Sequence, residues 1–351
     1  MSGPFRLEQG GRIDRARRLR FRFDDREYEG HPGDTLASAL LANDVTLLGR
    51  SFKYHRPRGM LAAGIEEPSA LVEIGRDGRR EPNQRATTVE LFDGLEARSQ
   101  NRWPSLRHDF GAINQRLARF MPVGFYYKTF KWPSAFWERL YEPTIRRMAG
   151  LGTAASEPDP DHYEHVHAHC DVLVVGSGTA GLSAARVAAD SGARAILIEQ
   201  DSEIGASLLL APDLAEWRRD MFAALGRQAE TQLLPRTTAI ALYDHNVVAA
   251  VERVGDHMAA VPKSSVRQRF WIIRAKEIVL ATGAIERLIA FPDNDRPGVM
   301  LSSAALSLAE RYGVAVGRAP VLFTNNDEAY EAAFALARAG VVPRAIVDVR
   351  K

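Results

Sequence analysis

Three glycines with the spacing Gly-x-Gly-x-x-Gly lie between an apolar run and a run of small residues. The apolar run is Val172–Val175, and the small residues that follow are typical of a helix. The first glycine permits a tight turn, the second leaves the backbone open to a pyrophosphate, and the third lets the helix pack on a sheet. A helix N-terminus also stabilises an anion. We therefore predict a dinucleotide site at Gly176, Gly178, Thr179, Ala180 and Gly181.

An acidic residue ends the second apolar run of the same stretch. Glu199 directly follows Ala195–Ile198 and comes 21 residues after Gly178. Strand, glycine turn, helix, strand and acid form the dinucleotide fingerprint, in which the acid accepts hydrogen bonds from the adenosine ribose. A chance glycine turn between two buried strands is the alternative interpretation. We predict that Gln200 and Asp201 join Glu199 in the site.

A second buried run ends in Ala-Thr-Gly. Glu277–Leu280 leads into Thr282 and Gly283, where a backbone turn can pass close to a dinucleotide. Folds with two dinucleotide-binding units use such a segment as the return strand of the first unit, and a generic buried strand is the alternative. Ala239, within the predicted strand Thr237–Tyr243, completes this part of the candidate site. No Ser-His-Asp or Cys-His constellation is evident, so no catalytic residue is predicted.

The composition and the distribution of charge favour some kinds of partner and cellular environment over others. The 351 residues carry a net charge of +2, yet residues 1–150 hold 26 basic and 19 acidic side chains and the remainder 20 and 25. This asymmetry is typical of a basic module beside an acidic Rossmann-type domain, or of docking onto another subunit, with nucleic-acid binding as the less favoured alternative. Cys170 is the only cysteine, which predicts a small buried residue and fits a reducing cytoplasm. No apolar run reaches membrane-spanning length, and the N-terminus lacks a signal-peptide pattern.

The N-terminal part of the chain predicts a small α+β domain of the β-grasp type. Residues 1–16 form a polar arm, and residues 17–102 form the domain. Leu19, Phe21 and Phe23 alternate with arginines, as in a half-buried strand. Thr35–Ala42 predicts a short helix with Asp34 as its N-cap.

Two further segments combine charge with aromatic residues. Residues 49–59 (GRSFKYHRPRG) are basic, which indicates a solvated loop or a subunit contact, with phosphate or nucleic-acid contact as the alternative. Residues 103–165 form an aromatic connector that is expected to bury its rings against a neighbouring domain or to form a subunit interface.

The remaining segments complete the predicted domain organisation. Residues 166–317 are predicted to form a Rossmann domain, and residues 318–351 to begin a second nucleotide-type domain. His165, His167 and His169 alternate just before the glycine stretch, so a metal site is conceivable, but no fourth ligand is indicated and none is predicted.

These motifs occur in an order that resembles the alpha subunit of heterotetrameric sarcosine oxidase. The order is SFKYHRPRG, the aromatic connector with GFYYKTF, HCDVLVVGSGTAG, TGAIER, NDRPGVM and FTNNDEAY. The connector and NDRPGVM are its specific parts. The resemblance implies an α/β fold in which a ferredoxin-like β-grasp domain precedes a Rossmann-type two-dinucleotide-binding domain. It also implies that the loop containing Ser207 folds over the adenosine half of the cofactor, although Ala206 replaces a usual glycine.

The resemblance also carries expectations about cofactors, partners and activity. It implies NAD at the fingerprint, with FAD as the alternative, and FMN and FAD on or at the interface with a beta subunit. Beta, gamma and delta subunits are the expected partners, and sarcosine is oxidatively demethylated to glycine, formaldehyde and hydrogen peroxide. Tetrahydrofolate would bind only through a C-terminal region that this sequence lacks. The chain is thus expected to be a fragment or split subunit, inactive alone, whose residues 318–351 begin a truncated domain.

One departure from the resembled pattern concerns iron. Relatives continue from the basic loop into a turn that carries cysteines, whereas this chain continues with residues 60–70, MLAAGIEEPSA. Clusters of this kind need thiolate ligands. We therefore expect the domain at 17–102 to be cluster-free, with no iron–sulfur cluster in the chain. The alternatives for function are the alpha subunit of a related amine, opine or hydroxyproline dehydrogenase, and a non-catalytic scaffold that binds a dinucleotide.

Overall fold

The computed structural model describes residues 3–120, 124, 132–148, 150, 152–262 and 265–350. The chain divides into two compact units. The first contains residues 1–159 and 286–351, and the second contains residues 160–285. Residues 286–317, which the sequence assigned to the Rossmann domain, therefore group with the first unit.

A five-stranded mixed sheet forms the centre of the first unit. Its strand order is β2-β1-β7-β5-β6, and β1 pairs antiparallel with β2 and parallel with β7. A separate two-stranded ribbon joins β3 and β4 within the basic loop. The seven strands are β1 Leu19–Phe23, β2 Arg26–Gly30, β3 Gly49–Arg50, β4 Pro57–Arg58, β5 Leu71–Ile74, β6 Glu81–Arg85 and β7 Glu96–Ser99.

Alternating burial explains the pairing of this sheet with its helix. Leu19, Phe21 and Phe23 are buried while the arginines between them are exposed, as the period of two requires. Every residue of α1, Leu36–Ala42, is buried, and Thr35 caps the helix by accepting a hydrogen bond from the Ser38 backbone. Thr35, and not the predicted Asp34, is therefore the N-cap.

Asp34 instead anchors the N-terminal arm. Its carboxylate accepts two hydrogen bonds from the Arg6 guanidinium, at 2.7 and 3.1 Å, and both side chains are almost fully buried. Arg6 also donates to the Tyr312 carbonyl oxygen. Part of the predicted polar arm is thus packed into the first unit, because a buried guanidinium needs a carboxylate partner.

The connector contains short helices whose described aromatic side chains stay largely exposed. These helices are α2 Ile113–Arg116 and α3 Glu142–Met148, with a π-helical turn at Trp137–Tyr141. Trp103, Phe120 and Trp132 are each about two-thirds exposed or more. The motif GFYYKTF lies outside the described residues except for Gly124.

The second unit is built on a six-stranded sheet in the order β10-β9-β8-β13-β12-β11. The strands β10, β9, β8 and β13 run parallel, and β11 and β12 extend the sheet antiparallel. The helices α4 Thr179–Asp190 and α5 Ala215–Gly226 cover one face of it. The strands are β8 Tyr163–Val175, β9 Ala195–Ile198, β10 Thr231–Leu234, β11 Thr237–Tyr243, β12 Val247–Arg253 and β13 Gln268–Leu280.

The central pair of this sheet is longer than the apolar runs predicted. β8 and β13 have 13 residues each and are paired from end to end, from Tyr163 with Gln268 to Val175 with Leu280. The added halves contribute the buried Trp271 and the partly buried Val166 and Ala168 to a second core, which also contains Val248 and Ala250 of β12. The added halves of these strands are only partly buried. Their sequences therefore lack the continuous apolar run that marks a strand buried on both faces, and the apolar pattern did not predict them.

Residues 286–351 add a helical layer and a small sheet to the first unit. The helix α6, Ser302–Glu310, packs with α7, Glu328–Arg338, and β14, Val321–Thr324, pairs parallel with β15, Ala345–Asp348. Within the described part of the chain, no helix has the length and apolar character needed to cross a bilayer.

Candidate functional site

The glycine turn lies at the carboxyl end of β8, where parallel sheets bind their ligands. Gly176 has a φ of 99°, and a β-carbon there would collide with the Ala281 carbonyl oxygen. A β-carbon on Gly181 would collide with the Gly176 carbonyl oxygen. Both positions therefore need glycine for the fold itself.

Gly178 differs from the other two glycines because nothing described lies within 4 Å of a β-carbon placed there. It is the N-cap of α4 and offers no side chain to that helix end. Thr179 and Ala180, which begin the helix, are exposed. The fold thus leaves open space beside an uncapped helix N-terminus, which suits a phosphate group.

Glu199 lies beside this turn and is 4% exposed. Its Oε2 accepts hydrogen bonds from the backbone N–H of Ser177, at 2.9 Å, and from the Ser177 hydroxyl, and its Oε1 accepts one from the Asp201 backbone N–H at 2.9 Å. A carboxylate offers about four acceptor positions. The described residues use three of them, so Oε1 retains one for a further donor.

Ser177 is a site residue that the sequence reasoning missed. It is fully buried, and its hydroxyl donates to Glu199 while it accepts from the Gly205 N–H at 2.8 Å. One side chain thereby joins the glycine turn, the acid and the loop after β9. The sequence signal that could have identified Ser177 is its position, as a hydroxyl residue between two glycines of the fingerprint.

The other predicted residues of the site differ in how exposed they are. Ser207 is exposed in a 3-10 turn at Ala206–Leu210, and Gln200 is also exposed. Ala206 adopts a φ of 47°, a left-handed conformation that a usual glycine would adopt with less strain.

The return strand and β11 contribute the remaining predicted residues. Thr282 and Gly283 are exposed directly after β13. Ala239 is half-buried on β11, at the edge of the sheet, but the Thr237 N–H at the start of β11 donates to the Glu199 carbonyl oxygen at 2.7 Å. In the strand order, β11, which carries Ala239, is the strand furthest from β8, whose end forms the glycine turn.

The basic loop in the first unit has most of its charge paired internally. Arg56 donates to Asp293 and Asp295, at 2.7 and 2.6 Å, and Arg58 also contacts Asp295. Arg56 lowers the pKa of Asp293 below its ordinary value, with Arg296 assisting. The sequence segments SFKYHRPRG and NDRPGVM are therefore joined by ion pairs, which leaves less charge for the nucleic-acid contact considered above.

A buried carboxylate organises the loop that follows. Glu67 is 1% exposed, and its two oxygens accept hydrogen bonds from four backbone N–H groups, those of Leu61, Ala62, Ser69 and Ala70, at 2.5–2.8 Å. A charged acceptor compensates several buried donors at once. Glu67 thus stabilises the backbone of the segment MLAAGIEEPSA through these four hydrogen bonds.

The cysteine and the histidines lie on β8. His165, His167 and His169 are exposed on one side, and Cys170 is buried. Among the described residues, no group of three or more His, Cys, Asp or Glu side chains could hold a metal ion. Burial raises the pKa of Cys170 to about 11, so its thiol is protonated at neutral pH.

This burial predicts that Cys170 reacts only when the second unit opens. We expect iodoacetamide to leave the folded chain unmodified at pH 8 and to label it fully in urea, because the thiolate is the nucleophile. The folded thiol keeps its proton to a higher pH than the unfolded thiol. Its contribution to stability is therefore complete below the unfolded pKa of about 8.5 and declines as the pH rises towards 11. Equal labelling rates in the two states would contradict the buried placement.

Comparison with known families assigns both units. Residues 16–102 match the family described as a 2Fe-2S iron-sulfur cluster binding domain. Residues 170–314 match the pyridine nucleotide-disulphide oxidoreductase family. The predicted order of a ferredoxin-like domain before a dinucleotide-type α/β domain is therefore confirmed.

The first of these matches corrects the cofactor prediction. The expectation of a cluster-free domain without an iron–sulfur cluster is contradicted, since residues 16–102 match a family that binds such a cluster. The same range contains no cysteine, and the only thiol, Cys170, lies in the second unit. The residues present do not supply the thiolates by which clusters are usually held.

Individual relatives extend the comparison over the whole chain. The alpha subunit of sarcosine oxidase from Rhizobium meliloti (strain 1021) is 53% identical over 99% of this chain and 36% of its own length. The protein of the same name from Corynebacterium sp. (strain U-96) is 36% identical over the whole chain and 33% of its own length. The chain thus spans about a third of these relatives.

More distant relatives agree on fold and broad class. One subunit of opine oxidase from Agrobacterium tumefaciens (strain Ach5) is 27% identical over 51% of this chain and 36% of its own length. The crystal structure of L-proline dehydrogenase from P. horikoshii covers the whole chain and 57% of its own, with a TM-score of 0.63 at 23% identity, which supports the fold alone. The comparisons confirm the predicted resemblance and support an oxidoreductase component: along 99% of its length the chain is similar to part of the sarcosine oxidase alpha subunit.

Proposed function

We propose that this chain is the dinucleotide-binding part of an amine-oxidising enzyme, with NAD at the glycine turn. The observation that carries the proposal is the open space at Gly178 beside an uncapped helix and a buried acid. Backbone N–H groups at Gly178, Thr179 and Ala180 would hold the pyrophosphate, and Glu199 would accept from the ribose through the free position on Oε1. A bound nicotinamide supplies hydride transfer.

The surrounding residues would complete the dinucleotide site. Ser177 fixes the Glu199 carboxylate, so the acceptor is already oriented when a ribose arrives. Gly181 and Thr282–Gly283 would keep the backbone close to the cofactor, while Gln200, Asp201, Ser207 and Ala239 would border the adenosine half. We propose no catalytic role for these residues.

The first experiment identifies the bound cofactor. FAD is the alternative, because folds with this glycine turn and an Ala-Thr-Gly return also bind flavin. The chain, purified under native conditions, would be denatured and the released cofactor identified by mass spectrometry. Released NAD supports the proposal, whereas stoichiometric FAD from the second unit would replace it.

The role of Glu199 gives a quantitative prediction. Glu199→Ala should weaken NAD by about 1.5–3 kcal/mol, the contribution of a charge-assisted hydrogen bond, or roughly ten- to a hundredfold in Kd. It should also improve NADP relative to NAD, because the carboxylate that repels a 2′-phosphate is gone. Titration calorimetry measures both ligands, with Glu203→Ala as a control acid on the same loop. Unchanged affinity and unchanged preference would exclude Glu199 from the ribose site.

We infer the reaction from the relatives. Sarcosine and water would be converted to glycine and formaldehyde, while oxygen takes the two electrons and becomes hydrogen peroxide. The exposed rings of Trp103, Phe120 and Trp132 would dock onto beta, gamma or delta partner subunits, since aromatic side chains are enriched in interfaces. Tetrahydrofolate would bind to a part of the enzyme other than these residues.

Assays of the assembled complex test this activity. The chain would be co-expressed with the proteins encoded beside it, and peroxide production measured with sarcosine. The partial match with the opine oxidase protein favours an opine as the second substrate to try, and hydroxyproline as the third. Turnover of an opine or hydroxyproline but not sarcosine would favour the related dehydrogenases. Dinucleotide binding without turnover of any of them would favour a scaffold role.

A further inference from the structure

A cavity of about 270 Å³ lies in the first unit, which does not contain the glycine turn. It is formed between the basic loop and the strands β5 and β6. Its lining contains two arginines and several neutral polar side chains but no carboxylate among the described residues, and it includes Arg50, Ser51, Arg58, Ser69, Asn83 and Gln100.

The two arginines retain donors that the described residues do not use. Arg50 donates to the carbonyl oxygens of Leu106 and His55 through three N–H groups. Since a guanidinium has five N–H donors, two remain. Arg58 reaches Asp295 through Nη1 only, so its Nε and Nη2 donors have no acceptor in the described chain.

The electrostatic surroundings favour a negative ligand. Burial lowers the pKa of Arg50, although the buried Asp109 carboxylate, 3.8 Å from its Nε, acts in the opposite direction. Burial also lowers the pKa of Arg58, and Arg56 and Arg296 lower it further. A cation that has lost water and lies near other cations is stabilised by an incoming anion. Carboxylate and phosphate are the groups whose geometry matches a guanidinium.

We propose that this cavity is a binding site for a small organic anion, held through a phosphate or carboxylate group by Arg50 and Arg58. The volume lies just below the usual range for small-molecule pockets, so the ligand has few carbon atoms beyond its charged group. Phe52, half exposed at the lining, and Leu71 would contact that carbon part.

Inorganic phosphate and acetate are the two probes, and they separate phosphate from carboxylate ligands. Calorimetric titration of the full chain should detect one of them, and Arg58→Gln should weaken it by roughly tenfold or more, as expected for a charge-assisted hydrogen bond. Arg56→Gln is the matched control. Arg56 also pairs with Asp295 but does not line the cavity, so its loss should leave binding largely intact.

A second variant protects the test against misfolding. Asn83→Asp places a negative charge in the lining, keeps the oxygen that accepts from Gln100 and tolerates the φ of 61° at this position. It should also abolish binding. Each titration is repeated in a Gly178→Val background to remove the glycine turn as a phosphate site. Binding that disappears with Gly178→Val alone, that survives Asn83→Asp, or that neither probe produces would overturn the proposal.

Discussion

Gly178→Val is expected to abolish dinucleotide binding while the chain still folds. A β-carbon at this position meets nothing within 4 Å among the described residues, so the side chain fits the folded protein. The same space is where a pyrophosphate would reach the helix N-terminus, and a valine side chain would occupy it. Calorimetry with NAD and circular dichroism of the same sample measure both outcomes.

Gly181→Ala is the control for this prediction. Its β-carbon would overlap the Gly176 carbonyl oxygen, so the turn must shift and the second unit should lose about 1–3 kcal/mol of stability, or more. The two variants thus separate a ligand effect from a folding effect. If Gly178→Val still bound NAD with the original affinity, the pyrophosphate would have to lie elsewhere.

Glu67→Gln is expected to destabilise the first unit by about 2–5 kcal/mol. The side chain keeps its shape, but one oxygen that accepts from backbone N–H groups becomes an NH₂ donor. Two buried N–H groups would then face a donor, and each costs about 1–3 kcal/mol. Urea unfolding of the substituted and unsubstituted proteins, followed by circular dichroism, measures the loss.

The neighbouring residue provides a matched comparison. Glu66 carries the same charge and is only half-buried, so Glu66→Gln should change the unfolding midpoint little. Equal effects of the two substitutions would mean that net charge, and not the hydrogen bonds of Glu67, stabilises the loop between Leu61 and Ala70.

Local sequence patterns predicted the parts of this molecule that depend on a few neighbouring residues. The glycine turn, the helix after it and the acid at the end of β9 follow from a strand–turn–helix pattern of about thirty residues. Alternating apolar residues predicted β1 for the same reason. The placement of Gly176 and Gly181 against neighbouring backbone agrees with the roles inferred for them.

Other features depend on contacts that no local pattern encodes. Arg56 and Asp295 are 239 positions apart in the sequence, and Arg6 and Asp34 are 28 positions apart. Glu67 acts through backbone N–H groups, which have no side-chain signature. The iron–sulfur expectation failed for another reason: it considered ligands alone, whereas the family match rests on the whole range 16–102.

The long pairing of β8 with β13 has a consequence for folding kinetics. Tyr163 pairs with Gln268, 105 positions later, and the register continues to Val175 and Leu280. Such non-local parallel contacts require closure of a long loop, so they form slowly. Ala281, which shapes the turn at Gly176, is at the far end of this segment. We therefore expect the glycine turn to reach its final form only after residue 281 has left the ribosome, so that the second unit folds late in its own synthesis or after it.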